Sequence, residues 1–449
     1  MRLFFFEAFF KTHCYASLHD YIYRMKLTKA QKGWVIFDCA NSAYYLIINS
    51  TIFPALFAAM VPSGSYAFGM QIKSSEAMFQ LAIGLSYLII VFLSPILSGI
   101  ADYGNRKKFF MKLFTFIGSF ACFSLFFFNS NHIELGIIAA SIAMIGYSGS
   151  IVFYNAFLPE IASTEDQDKL SARGFATGYF GSSVLLILIV IASSFYKELG
   201  FENKIDIFSW GFVSVGAWWI LFSQYTFKHL PKEEKIKVSY KEVIKNGFKE
   251  TKKVWQQIKS EELLHKYIIT YFFISMGLQT LVLIAPLFAL ENLGVDSSQL
   301  IVTALIIQVA GIIGANFFAW LSKKRGNFNA LFFPLIIFVF ICLSVVFIVN
   351  STLFYVVGIC LGFAMAGAQS LARSTYSKIL PQTHDHASFF SFYDIAEKLA
   401  TAIGMLMAAA LSFVSDSRNS ILALSIIFMI AIFMLKKTQK IAKLNGTKI

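Results

Sequence analysis

Twelve apolar runs, each long enough to cross a lipid bilayer, occupy most of this 449-residue chain. A hydrocarbon core about 30 Å thick needs about 20 residues of helix. Runs of that length fall approximately at 34–60, 78–101, 109–128, 133–158, 173–195, 207–227, 266–290, 298–321, 329–349, 352–378, 388–414 and 418–435. Composition agrees: 57% of the residues are hydrophobic and 14% are charged, against about 25% charged in a soluble domain. A water-soluble body with 50 Phe would expose large apolar patches and aggregate. A soluble enzyme and a disordered protein are both excluded, and the expected fold class is an all-α membrane protein.

Basic loops stay on the cytoplasmic side of a membrane. The N-terminus, the loops after even-numbered spans and the C-terminal tail, taken with the span ends beside them, hold 33 of the 38 Lys and Arg. The loops after odd-numbered spans, with the span ends beside them, hold only Lys73, Lys197, Lys204 and Arg418, and Lys398 lies deep inside a span. A missed or invented span would move every later loop to the other side and destroy this asymmetry. Twelve spans with both termini cytoplasmic are therefore expected. The net charge of +13 sits in short clusters beside apolar runs, which suits anionic lipid headgroups and argues against a nucleic-acid partner. Five scattered cysteines without CxxC spacing indicate neither a disulfide framework nor a zinc site.

The longest connection, from Lys228 to His265, divides the chain into halves of six spans. The expected segments are a cytoplasmic extension at 1–32, a six-helix bundle at 33–227, a linker at 228–265, a second bundle at 266–435 and a basic tail at 436–449. The first 24 residues contain no run of spanning length, and Glu7 and Lys11 interrupt the one candidate signal core. Met25 followed by KLTKAQKGW reads as an alternative start. Within the linker, Ile244, Phe248, Thr251, Trp255, Ile258 and Glu262 recur at helical spacing among lysines. That pattern predicts an amphipathic helix on the membrane surface.

The halves share punctuation. Tyr154-Asn-Ala-Phe-Leu158-Pro159 ends the fourth span and Tyr376-Ser-Lys-Ile-Leu380-Pro381 ends the tenth. Gly99-Ile-Ala-Asp102-Tyr-Gly104-Asn-Arg106-Lys107-Lys108 follows the second span, and the basic Leu321-Ser-Lys323-Lys324-Arg325-Gly326 follows the eighth. Together these point to a duplicated six-helix unit. The Gly-x-x-Asp loop with its basic cluster resembles the signature of the major facilitator superfamily. The segments Gly33-Trp-Val-Ile-Phe-Asp38-Cys-Ala-Asn41-Ser-Ala-Tyr44, Ile100-Ala-Asp-Tyr-Gly-Asn-Arg-Lys-Lys108 and Phe389-Phe-Ser-Phe-Tyr393 with Lys398 resemble the vacuole-effluxer branch and its bacterial relatives, from Met25 onward.

The resemblance implies a carrier in which two six-helix bundles rock about a central cavity, moving small organic solutes, amino acids in the eukaryotic members, without a cofactor. The expected location is a bacterial inner membrane and the expected state a monomer, with membrane lipids and protons as further partners. It also implies a cytoplasmic gate at Asp102, Arg106 and Lys107, which topology alone would also explain. Two departures stand out. The acid often found before the glycine of span seven is replaced in Ser275-Met276-Gly277, and the loop after span eight lacks the Asp of its counterpart, leaving only the first-half gate intact.

Polar groups inside spans are costly and usually face a bundle interior. Asp38, Asn41, Ser42, Tyr45 and Asn49 fall on one face of span one, as expected for a cavity-lining helix, although Asp38 near the helix start also suits the dipole. In span eleven Asp394, Glu397, Lys398 and Thr401 share a face, with Lys398 roughly 15 Å into the membrane. Two acids and one base there suit proton coupling, and an intrahelical ion pair with a snorkelling lysine is the alternative. Asp38, Asp394, Glu397 and Lys398 are the coupling candidates. Tyr147, Tyr154 and Asn155 in span four, Gln279 in span seven, and Gln369 and Arg373 in span ten complete the candidates for the solute cavity, Arg373 being suited to a carboxylate. Gly174 with Gly178 and Gly358 with Gly362 read as close helix crossings.

Two other functions compete with transport. A polytopic membrane enzyme would need an intramembrane base or metal ligands, whereas all seven histidines lie outside the apolar spans, His384-Asp-His386 being a loop pair. A nutrient receptor would keep the same cavity and move nothing. No metal site is expected, and the chain has no GxxxxGK[ST] loop for ATP.

Overall fold

A computed structural model describes residues 27–62, 64–72, 75–233, 240–412 and 417–446; the N-terminal stretch with Met25, and Lys73, lie outside them. Among the described residues the chain folds into thirteen long helices. These are α1 (Lys29–Met60), α2 (Ser75–Tyr103), α3 (Lys107–Ser124), α4 (Ile133–Ala156), α5 (Gln167–Ser194), α6 (Lys204–His229), α7 (Tyr240–Ser260), α8 (Glu262–Leu293), α9 (Ser297–Arg325), α10 (Asn327–Ser344), α11 (Ser351–Ile379), α12 (His386–Ser412) and α13 (Ser417–Leu444). A two-residue hairpin, Tyr66–Ala67 with Met70–Gln71, lies between α1 and α2. Each apolar run in the sequence lies on one of these rods, and eleven are long and apolar enough to cross a membrane. The remaining rod on an apolar run, α12, carries Asp394, Glu397 and Lys398 in its first half. The basic stretch after 435 continues α13 as helix to Leu444.

Local chemistry sets the helix boundaries. Thr28 caps α1 and Asp296 caps α9, each in a reciprocal capping box with a glutamine three residues on, Gln31 and Gln299. Gly294 ends α8 in the left-handed region at φ +62°. Inside α1, Tyr44–Thr51 is a π-helix. It changes the turn for everything beyond Tyr44, so the single face projected from Asp38 to Asn49 at a uniform 3.6-residue period does not hold along the whole helix.

Helix α1 packs on α5 and α6, α3 on α4, and α2 on α4. Likewise α9 packs on α11, and α8 on α12 and α13. Across the two sets, α5 lies against α9 and α11, and α12 lies against α2 and α4. Gly174 and Gly178 let α5 pass α1 where a Cβ would strike Asp38 and Ser42, and Gly362 lets α11 pass the backbone of Ile307. The linker helix α7 packs on α2 through one face and leaves another open. Gly247, Val254 and Ile258 are buried, while Phe248 and Trp255 are 51% and 44% exposed. Gly247 sits against Gly99 and Ile100 with no room for a Cβ on either glycine. That close backbone approach turns Thr251 and Ile258 of the stripe toward the protein and leaves its two rings on the open side.

Candidate functional site

Among the described residues, polar bonds join the first six helices to the last six at three places, two at the end of the molecule where the lysine-rich turns gather and one deeper. At the first, Asp102 closes α2 and its carboxylate accepts from the backbone N–H groups of Ala387 and Ser388, at 3.2 and 2.7 Å. It thereby caps α12 from the opposite half, where the orphan N–H groups and the positive dipole end attract a carboxylate. Beside it Lys107 pairs with Glu160, which also lies 3.2 Å from His386 Nδ1. Of the expected gate residues, Asp102 and Lys107 thus reach partners through their side chains. Arg106 is exposed, and among the described residues it bonds through its backbone, its N–H to Ala101 O and its carbonyl from Phe110 N–H.

The second place was not foreseen. Asp168, in the first turn of α5, accepts from Ser322 Oγ (2.8 Å), Asn327 Nδ2 (2.6 Å) and Lys378 Nζ (2.6 Å), which come from α9, α10 and α11. Lys378 also donates to Asn327 Oδ1 at 3.0 Å. The loop after α9 lacks an Asp, yet the link across the halves exists with the polarity reversed, the acid on α5 and the donors opposite. An acid in a first helical turn reads from sequence as ordinary capping, so the available signal was its coincidence with a polar Ser-to-Asn turn on the facing loop.

The third lies deeper. Arg373 of α11 donates from Nε to Ser171 Oγ (2.9 Å) and from Nη2 to Ser171 O (2.9 Å) and Asp38 Oδ2 (3.3 Å). Its Nη1 donates to Asn155 Oδ1 at 3.4 Å. The guanidinium lies over Trp34 and Phe175, 4.7 and 4.3 Å from the ring centroids. Tyr154 donates to Asp38 Oδ2 at 2.6 Å, and its ring stacks on Trp34 at 4.4 Å. Asp38, Tyr154, Asn155 and Arg373, candidates from three spans, thus form one buried cluster. Ser171, Trp34 and Phe175 complete it and were missed, because nothing in their own stretches marks them as polar-site residues. Gln369, one turn from Arg373, accepts from Tyr179 at 3.0 Å, again across the halves.

A separate group lies along α12. Lys398 Nζ is 3.0 Å from Asp394 Oδ1 and 3.9 Å from Glu397 Oε1, and 5.3 Å from the ring centroid of Tyr87 on α2. Glu397 accepts from Tyr271 (2.7 Å) and Gln279 (3.2 Å), both on α8. Tyr271 stacks on Tyr393 at 3.8 Å. The structure therefore brings Asp394, Glu397, Lys398 and Gln279 together, and keeps Asp38 with Arg373 instead.

On α1 the π-helical segment carries Tyr45, whose ring contacts Tyr147 at 5.5 Å. Buried polar atoms without a hydrogen-bond partner include Asn41 Nδ2, Asn49 Oδ1, Thr280 Oγ1 and Gln308 Oε1. Such atoms carry a desolvation cost unless something else satisfies them. His384, Asp385 and His386 do not converge; Asp385 meets Lys253, and His386 meets Glu160.

Similarity to known proteins agrees with this architecture. The family model "Vacuole effluxer Atg22 like" matches residues 27–440. An uncharacterized MFS-type transporter of Bacillus subtilis, YxiO, is 28% identical over 417 residues, covering 91% of this chain and 95% of its own. Autophagy-related protein 22 of Kluyveromyces lactis is 22% identical, covering 78% and 75%. Among solved structures, the human organic anion transporter MFSD10 superposes with a TM-score of 0.69 at 14% identity, over 91% of this chain and 99% of that one. The proton:xylose symporter XylE superposes at 0.68 and 14%, over 93% and 96%. The chain is a multi-pass membrane protein of the major facilitator fold and belongs to the Atg22-like vacuole effluxer family of transporters.

Proposed function

We propose that this protein is a secondary active transporter that moves a small organic solute, with amino acids the first class to test, by alternating access. The reading counts α12 as the twelfth span, groups α1–α6 and α8–α13 as two six-helix bundles, and sets the lysine-rich end and both termini on the cytoplasmic side of a bacterial plasma membrane. The observation that carries it is the seam between the halves. Its bonds are short side-chain and helix-cap contacts gathered at one end, the kind of interface that has two discrete arrangements. Arg373 belongs to that seam: Asp38, Asn155 and Ser171 already take its donors, so it acts as a gate and not as a solute ligand in this state. The solute face is assigned to the unpartnered Asn41, Asn49, Thr280 and Gln308 with Tyr45 and Tyr147. Glu397, with the Asp394–Lys398 pair, is assigned to protons.

The test is radiolabelled uptake into proteoliposomes, with neutral and charged amino acids presented first, with and without an imposed pH gradient. Saturable flux above protein-free vesicles is expected. No saturable flux of any small solute rejects transport, and saturable binding without flux identifies a receptor.

A further inference from the structure

The linker helix α7 bridges the seam. On one side it is bound to α2: Thr251 donates to Pro95 O at 2.7 Å, Asn246 donates to Tyr103 at 2.8 Å, and Gly247 meets Gly99 without space for a Cβ. On the other it is bound to the start of α12: Trp255 stacks on Phe392 at 5.2 Å, and Lys253 lies 3.4 Å from Asp385. These are the two elements that Asp102 also joins. The outward face of α7 carries Lys245, Lys249, Lys252 and Lys259, all exposed, with the part-exposed rings of Phe248 and Trp255 along one flank. Among the described residues Lys245, Lys249 and Lys252 have no ion-pair partner. Four cations spread over about four turns need a multivalent anionic surface, and an aromatic flank beside them fits the depth at which rings sit among headgroups. The helix also lies at the lysine-rich ends of α2 and α12, the level of the bilayer surface when both span it.

We propose that α7 is an interfacial strap: its lysine face binds anionic phospholipid headgroups, and the bound strap holds the ends of α2 and α12 together. Each lysine near such a surface contributes about a fivefold factor in attraction. Loss of three weakens it on the order of a hundredfold. The inference rests on the membrane placement proposed above and requires neither a particular solute nor proton coupling.

The experiment uses the full-length protein in vesicles of phosphatidylcholine with stepwise additions of phosphatidylglycerol. A polarity-sensitive dye is attached at Gln256→Cys, on the exposed face, in a background carrying Cys14→Ser and Cys360→Ser; Cys39, Cys122 and Cys342 are buried. The expected result is a blue shift that grows with phosphatidylglycerol, is suppressed by about 1 M salt, where screening reaches about 3 Å, and is absent in K245Q/K249Q/K252Q. Elution volume and melting temperature of that variant should match those of the parent. Amide exchange at Ala387 and Ser388, the Asp102-bonded groups, should slow with phosphatidylglycerol in the parent alone. A dye response that persists in the triple variant, or that is equal in neutral lipid, overturns lipid binding. A stronger response to a soluble acidic polypeptide than to vesicles overturns it in favour of a protein partner. A lipid response without any change in amide exchange overturns the strap. Each readout is independent of flux, so failure of the transport reading is separately visible.

Discussion

Arg373 shows how much a single buried side chain can hold in this fold. It is bonded to two carbonyl or amide oxygens, a hydroxyl and a carboxylate, and stacked between aromatic rings from two helices. Removing one partner of such a pair leaves the other charge buried and uncompensated, at a cost of about 3–5 kcal/mol. Arg373→Ala should therefore lower the melting temperature in detergent markedly. Arg373→Lys should fall between the two, since an ammonium keeps the charge and loses the planar fork. Equal melting of the alanine variant and the parent would place the pair outside the stabilising interactions. Gly174→Ala tests the same cluster from the other side: its Cβ would meet the Asp38 carboxylate, and overpacking of this kind costs about 1–3 kcal/mol. From sequence, Asp38 and Arg373 were each legible as polar residues on a helix face. Their pairing was not, because a helical face reports that a partner is needed without saying that it stands 335 positions away.

At the scale of elements, the helices followed from apolar length, and the two capping boxes and Gly294 mark ends that the sequence spells out. What the pattern hid were departures from regular geometry. The π-helix in α1 breaks the period on which its polar face was projected. The glycine contact between α7 and α2 seats the linker against the bundle and leaves Phe248 and Trp255 on the open side. The Asp168 site needed donors from three other helices and left only a capping-like trace in its own segment. Both helix-end links should bias the molecule toward the state in which the lysine-rich end is shut. Asp102→Ala removes a cap to α12, worth about 0.5–2 kcal/mol, and should speed amide exchange at Ala387 and Ser388. Asp168→Asn with Lys378→Gln should show non-additivity of about 0.5–3 kcal/mol in thermal unfolding, as expected for a contacting pair. Strict additivity would mean that Lys378 and Asp168 do not interact in solution.

For the whole molecule, the question is how a proton could tilt a balance between two states. Moving an equilibrium from 1:99 to 99:1 takes about 5.5 kcal/mol, and a single latch worth about 0.5–2 kcal/mol moves it only part of the way. Coupling needs a group whose charge matters to both halves. Lys398 stands between two acids on α12 while facing Tyr87 of α2, so with all three ionised the cluster holds one excess negative charge, which one proton removes. Glu397 is the acid farther from Lys398, and its partners on α8 are a hydroxyl and an amide. Glu397→Gln keeps an acceptor for Tyr271 and leaves the Asp394–Lys398 pair balanced with no proton needed. In proteoliposomes the parent should show solute accumulation that rises with an imposed pH gradient. The variant should lose that stimulation while retaining solute exchange at equal pH within a few-fold. If the variant still responds to the gradient as the parent does, Glu397 does not carry the proton. If the parent itself is indifferent to the gradient, the excess charge on α12 serves to hold Lys398 and not to drive transport.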